Sequence, residues 1–188
     1  MDTLKSDGYP LVAACKKGES WARKRLYELY APAMMGICVR YTNDKDMAKD
    51  ILHEGFIKVF TKINTYSGEG SLEGWMRRVF VTTALEFIRT DHLGKFSLSI
   101  DDYNESFENS EFSIIEKLSA EDIVKCISEL PAGYRLVFNL YAVEGYSHKE
   151  IANLLNIKEG SSRSQYTHAR RLLQEKIGKL FHVERKVE

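Results

Sequence analysis

Gly145–Gln174 reads GYSHKEIANLLNIKEGSSRSQYTHARRLLQ, and this stretch decides what the rest of the chain is for. Ser147 and Glu150 form the S-x-x-E pair of a capping box directly before IANLL, so a helix starts at about His148. Ala152 is small, as the close approach of a second helix requires. Asn156 stands where the chain must turn sharply, and asparagine tolerates the left-handed backbone region better than other non-glycine residues. Ile157 can plug the corner, and a second helix runs on from about Glu159. Its exposed positions are expected to offer Arg163, Ser164, Gln165, Thr167, His168, Arg170 and Arg171. Arginine grips the O6 and N7 of guanine with two hydrogen bonds, and glutamine does the same for adenine. Further lysines and arginines contact phosphates and set register. The pattern therefore points to a helix-turn-helix that reads duplex DNA. The plainer alternative is an amphipathic helical hairpin with a solvated basic face.

Upstream, AEDIVKCISEL reads as a helix capped by Ser119 and Asp122, and it stops at Pro131, which disfavours a helical Leu130. PAGYRLVFNLYAVEG is expected to form one helix ending at Gly145. The first half carries three further helical patterns. Leu26, Tyr30, Met34, Ile37 and Tyr41 recur at helical spacing from Ser20 onward. Asn43 and Asp46 resemble an N-cap pair opening a helix whose apolar stripe is Met47, Ile51, Leu52, Phe56, Val59, Phe60 and Ile63. SGEGS, from Ser67 to Ser71, is a turn, and a third helix runs from Ser71 to about Thr90. Between the halves, DHLGKFSLSIDDYNESFENSEFSIIEK keeps no sustained period. The expected fold is all-α: two small helical domains, 1–91 and 120–188, joined by an acidic linker at 92–119.

The formal net charge is zero, but the charges are segregated. Met1–Lys95 has 15 basic and 12 acidic residues, Phe96–Asp122 has 1 and 8, and Ile123–Glu188 has 11 and 7. Local charge governs contact with nucleic acid, so a neutral total does not exclude it. No apolar run approaches the roughly 20 residues of a membrane span, which predicts no membrane insertion. MDTLKSDGYP lacks the basic start and apolar core of a secretory signal. Cys15, Cys38 and Cys126 are widely separated, and reduced buried thiols in a cytoplasmic protein are expected. Neither they nor the five histidines show metal-ligand spacing, so no metal and no cofactor are expected. There is no phosphate-cradling glycine loop and no visible nucleophile-base arrangement, so the chain does not read as an enzyme and no catalytic residue is assigned.

Ile127–Ile177, ISELPAGYRLVFNLYAVEGYSHKEIANLLNIKEGSSRSQYTHARRLLQEKI, resembles region four of the extracytoplasmic-function (ECF) sigma factors of bacterial RNA polymerase. Leu11 to Arg89 resembles their region two, with DMAKDILHEGFIKVFTKINTY and GSLEGWMRRVFVTTALEFIR matching that family's two signature helices. The resemblance implies a protein that binds core RNA polymerase through the clamp helices of the largest subunit and through the flap. It implies two promoter contacts, with the −35 element read as duplex by region four and the −10 element captured as a melted single strand by region two. An anti-sigma factor is implied as a further partner.

On that resemblance, Lys158, Ser161, Arg163, Ser164, Gln165, Thr167, His168, Arg170 and Arg171 are the −35 contacts. Trp75, Arg77, Arg78, Thr82, Thr83, Glu86 and Arg89 serve the −10 element, with a loop around Arg78–Thr83 as the base pocket and Trp75 as a packing support. Asp50, Leu52, His53, Glu54, Phe56, Ile57 and Phe60 are the polymerase-docking candidates, although Ile51, Phe56 and Val59 also suit a core. The chain departs from the family at several positions. Thr82 or Thr83 stands where asparagine is frequent, Glu86 where aspartate or asparagine is, and His53 where glutamine is. Lys158 occupies an expected serine N-cap, Gln165 replaces a frequent arginine, and Ser161–Ser162 replaces a threonine–valine pair, which predicts a different seating of the reading helix. The acidic linker would suit a positively charged polymerase channel. The rival is a free-standing helix-turn-helix regulator with an N-terminal sensing or dimerising domain.

Overall fold

Residues 4–42, 44–91 and 120–184 are described by the structure, a computed structural model. Among them there is no strand, and the helices fall into two separate units. The acidic linker 92–119, with Ser119, and also Asn43 lie outside the described residues.

The first unit contains α1 (Leu4–Lys16), α2 (Ser20–Thr42), α3 (Lys45–Lys62) and α4 (Leu72–Asp91), with a 3-10 turn at Ile63–Thr65. Helices α2, α3 and α4 pack against one another, and α1 lies on α2 and the 3-10 turn. The core is formed by Leu26, Met34, Ile37 and Tyr41 of α2, Ile51, Phe56 and Val59 of α3, and Met76, Phe80 and Val81 of α4. Phe56 sits at its centre, with the rings of Tyr27, Phe60 and Phe80 at 4.5, 5.9 and 5.2 Å. Gly55 lets α4 approach, since a Cβ there would lie 2.7 Å from Phe80 Cδ1 and Cζ.

Two local expectations change here. Asp44, not Asn43, caps α3, its carboxylate accepting the N–H groups of Asp46 and Met47 at 2.8 and 2.9 Å. Helix α1 has a weak signature in the sequence, because Gly8 and Pro10 cost a helix about 1 and 3 kcal/mol relative to alanine. Burial of Leu11, Val12, Ala14 and Cys15 offsets that cost. The Lys16 ammonium also donates to Tyr66 O at 2.8 Å, joining α1 to the turn before α4.

The second unit contains α5 (Ala120–Ser128), α6 (Ala132–Phe138), α7 (His148–Leu155) and α8 (Glu159–Glu184). Cys126, Ile127, Leu130, Ala169 and Leu173 are its buried centre, flanked by Ile123, Tyr134, Phe138, Leu172 and Ile177. Arg135 Nη1 donates to Ser128 O and Leu130 O at 2.8 and 3.2 Å, capping carbonyls that Pro131 leaves open at the end of α5. The helix expected from Pro131 to Gly145 is not uniform. Asn139–Val143 widen into a π turn, closed by Glu144 N–H to Asn139 O at 2.9 Å and ended by Gly145 at φ 79°. The three cysteines are free and buried, and burial pushes the Cys38 thiol up to about 12. No described helix is long and apolar enough to cross a membrane.

Candidate nucleic-acid interface

The turn between α7 and α8 is built as its sequence predicts. Ser147 Oγ accepts the Glu150 N–H at 3.3 Å, and the Ser147 N–H donates back to Glu150 Oε2 at 2.8 Å. The hydrogen bonds from the Ser147 side chain and backbone hold the Glu150 carboxyl below its ordinary range. Asn156 adopts φ 54° and ψ 48°, and the Ile157 N–H reaches back to Ala152 O at 3.0 Å. Helix α8 then leaves with Ser162 N–H on Lys158 O at 3.1 Å.

Ser162, Gln165, Ala169 and Leu173 form the buried face of α8, following helical spacing. The opposite face presents Arg163, Ser164, Thr167 and Arg170 to solvent in one row, with Lys158 exposed just before the helix. Arg163 pairs with Glu159 at 2.6 Å on this surface. An exposed i,i+4 pair is worth about 0.3–0.5 kcal/mol, whereas a bidentate guanine contact is worth about 1–3 kcal/mol. The pair therefore yields readily to a base.

Not every expected contact belongs to this row. Gln165 is only 7% exposed and points into the fold, so it cannot read a base edge as expected. His168 is half-buried and stacks on Tyr134 at 5.7 Å. Arg171 is also half-buried, with Nε 3.7 Å from Glu175. Ser161 is half-buried at the edge of the row. A partner of Ser162 that the sequence did not disclose is His148, whose Nδ1 lies 2.9 Å from Ser162 Oγ. The signal was present: Ser162 lies seven residues before Ala169 and eleven before Leu173, which puts it on the packed side.

On the first unit, α4 carries a second exposed row, Arg78, Thr82, Glu86 and Arg89. Residues 78–83 are helical, so the expected base-pocket loop is not there; the loop next to α4 is Tyr66–Ser71. That turn is well braced, with Tyr66 Oη donating to Gly70 O at 2.9 Å and the Tyr66 ring 5.6 Å from half-buried Trp75. Thr83, 1% exposed, donates to Val79 O and cannot face a strand, and Arg77 is half-buried. Lys58 of α3 pairs with Glu86 at 2.6 Å.

The docking candidates on α3 divide in the same way. Asp50, His53 and Ile57 share an exposed face, with Ile57 49% exposed, and Glu54 and Phe60 are half-buried beside it. Leu52 and Phe56 are core residues rather than surface contacts. No group of three or more His, Cys, Asp or Glu residues able to hold a metal occurs among the described residues.

The second unit is all-helical and carries its arginines in an outward row on the helix after a capped turn, and the comparisons name the class. The sigma-70 region 2 pattern matches residues 26–92 and the sigma-70 region 4 pattern residues 120–173, together more than half of the chain. The ECF RNA polymerase sigma factor SigM of Bacillus subtilis (strain 168) is 25% identical over 150 residues, spanning 79% of this chain and 91% of its own length. The ECF RNA polymerase sigma-E factor of Haemophilus influenzae is 27% identical over 179 residues, 89% of this chain and 93% of its own. The solved structure of the sigma factor RpoE in complex with the anti-sigma factor NepR from Bartonella quintana matches the fold with a TM-score of 0.50 at 21% identity, covering 82% of this chain and 96% of that one. The chain belongs to the sigma-70 family of RNA polymerase sigma factors, in its ECF group, which are initiation factors of transcription.

Proposed function

We propose that α8 enters the major groove of the −35 element with Arg163, Ser164 and Thr167 toward base edges and Lys158 and Arg170 on phosphates. The observation that carries this reading is the outward row itself: these side chains share one solvent face while the opposite face is committed to the core. Region two receives the melted −10 strand against the Arg78, Thr82, Glu86 and Arg89 row of α4, with Tyr66–Ser71 as the adjoining loop. Cations neutralise the strand's phosphates, while the threonine hydroxyl and the carboxylate offer hydrogen bonds to an unpaired base. The exposed Asp50, His53 and Ile57 face of α3, rimmed by Glu54, docks on the polymerase clamp helices, and region four meets the flap. Residues 1–91 and 120–188 serve as the two promoter-binding domains, with 92–119 as their acidic tether. The protein works in the cytoplasm, without catalysis of its own, and an anti-sigma factor covers its polymerase-binding surfaces when it is idle.

The test is a gel shift on promoter duplex at moderate salt, with and without core RNA polymerase. The expected result is weak binding alone and a specific complex with core enzyme. Tight, palindrome-specific binding by the chain alone, unchanged by core enzyme, would contradict it.

A further inference from the structure

Ser162 has no exposed surface, yet it carries a hydroxyl on the packed side of α8. A buried hydroxyl left without a partner forfeits its bond to water and destabilises the fold, so this position needs one. His148, the first residue of α7, supplies it through Nδ1 at 2.9 Å. The imidazole is itself held: it lies flat on the Tyr141 ring, 4.2 Å away at 11°, with Tyr166 at 5.9 Å. Tyr141 belongs to the π turn and Tyr166 to α8, one turn beyond Ser162, so three elements meet on this one ring.

The consequence is geometric. Ser162 immediately precedes Arg163 and Ser164, the first members of the outward row. A hydrogen bond holds distance and angle more narrowly than an apolar contact does. With side chains, a helix has a radius of about 5–6 Å, so a 10° rotation about its axis moves the tips on the far side by roughly 1 Å. That shift exceeds the distance range over which a base-edge hydrogen bond keeps its strength.

We infer that His148 is a positioning residue for promoter choice: its bond to Ser162, braced by the Tyr141 stack, sets the rotation of α8 and so the base preference of Arg163, Ser164 and Thr167. This rests on the reading of α8 as the duplex-reading helix.

The experiment uses the full chain with core RNA polymerase on promoters randomised over the upstream element, with sequenced run-off transcripts as readout. H148F keeps the ring stack but removes the bond, S162A removes it from the other side, and H148N restores a polar atom near the Nδ1 position. H148F and S162A should each change the preference between best and second-best base by about fivefold or more at one or two positions. H148N should return the profile toward that of the native chain. Melting of each variant identifies any that fails to fold, and H148F alone still decides the matter if S162A does. Identical base profiles in the native chain and the folded variants, whatever the total yield, overturn the positioning role but leave α8 as the reader. A native profile with no upstream preference overturns the reading of α8 and the inference with it.

Discussion

Asn156 holds the α7–α8 turn at φ 54°, a region that costs most L-residues about 1–2 kcal/mol. Asn156→Gly should therefore leave stability within a few tenths of a kcal/mol, while Asn156→Val should cost at least about 1 kcal/mol in urea unfolding. Gly55 is set by contact rather than by φ. Alanine there drives a methyl into the buried Phe80 ring, and Gly55→Ala should cost about 1–3 kcal/mol as an overpacked core. Cys38, with its thiol pushed up to about 12, should resist iodoacetamide at pH 8 in the folded chain and react once urea unfolds it. These residues differ in how far the sequence discloses them. Asn156 and the Ser147–Glu150 pair were legible because turn and cap chemistry is local. Gly55 and Gln165 were not, because whether a position faces in or out depends on where a neighbouring helix lies.

Helix α8 shows why the element scale is the harder one to read. Its buried face includes Ser162 and Gln165, polar residues that blur the apolar period, so the exposed row could be named only in part. Arg163, Ser164, Thr167 and Arg170 are exposed as expected, while His168 and Arg171 turn toward the flanks. Within the row the two arginines should behave differently. Arg163→Ala should cost about 1–3 kcal/mol of discrimination at one base pair. Arg170→Ala should weaken all sequences alike and lower the slope of log affinity against log salt by about 1. In α4 the family pattern suggested a loop at Arg78–Thr83, but Phe80, Val81, Ala84 and Leu85 form a buried helical stripe there, and a continuous helix wins.

The joint of α7 and α8 should also respond to pH. Burial and the nearby Arg163 charge hold His148 below 6.5, against the smaller opposing pull of Glu159; Tyr141, Tyr166 and Ser162 complete its surroundings. A histidine depressed in the folded state favours folding while neutral. Its contribution is complete above the unfolded value of 6.5 and is lost as pH falls through the folded value. Between pH 7.5 and 5, the native chain should lose more stability to urea than H148N does. Equal losses would remove His148 from this account.

At the scale of the whole molecule, the order of the two units was legible because each carries its own helical periodicity and the stretch between them does not. The segregated charge pointed the same way: two mildly basic blocks flank an acidic segment. Helix α1 was not legible in the same way, because it is held by packing against α2 rather than by its own propensity. The central claim is that these units select promoters only when mounted on core RNA polymerase. In vitro run-off transcription with purified core enzyme on a genomic promoter library tests it most directly. The account predicts transcripts from a small set of start sites sharing an upstream and a downstream element, and none of that selectivity without the protein. Transcription by core enzyme that is the same with and without the chain would contradict it.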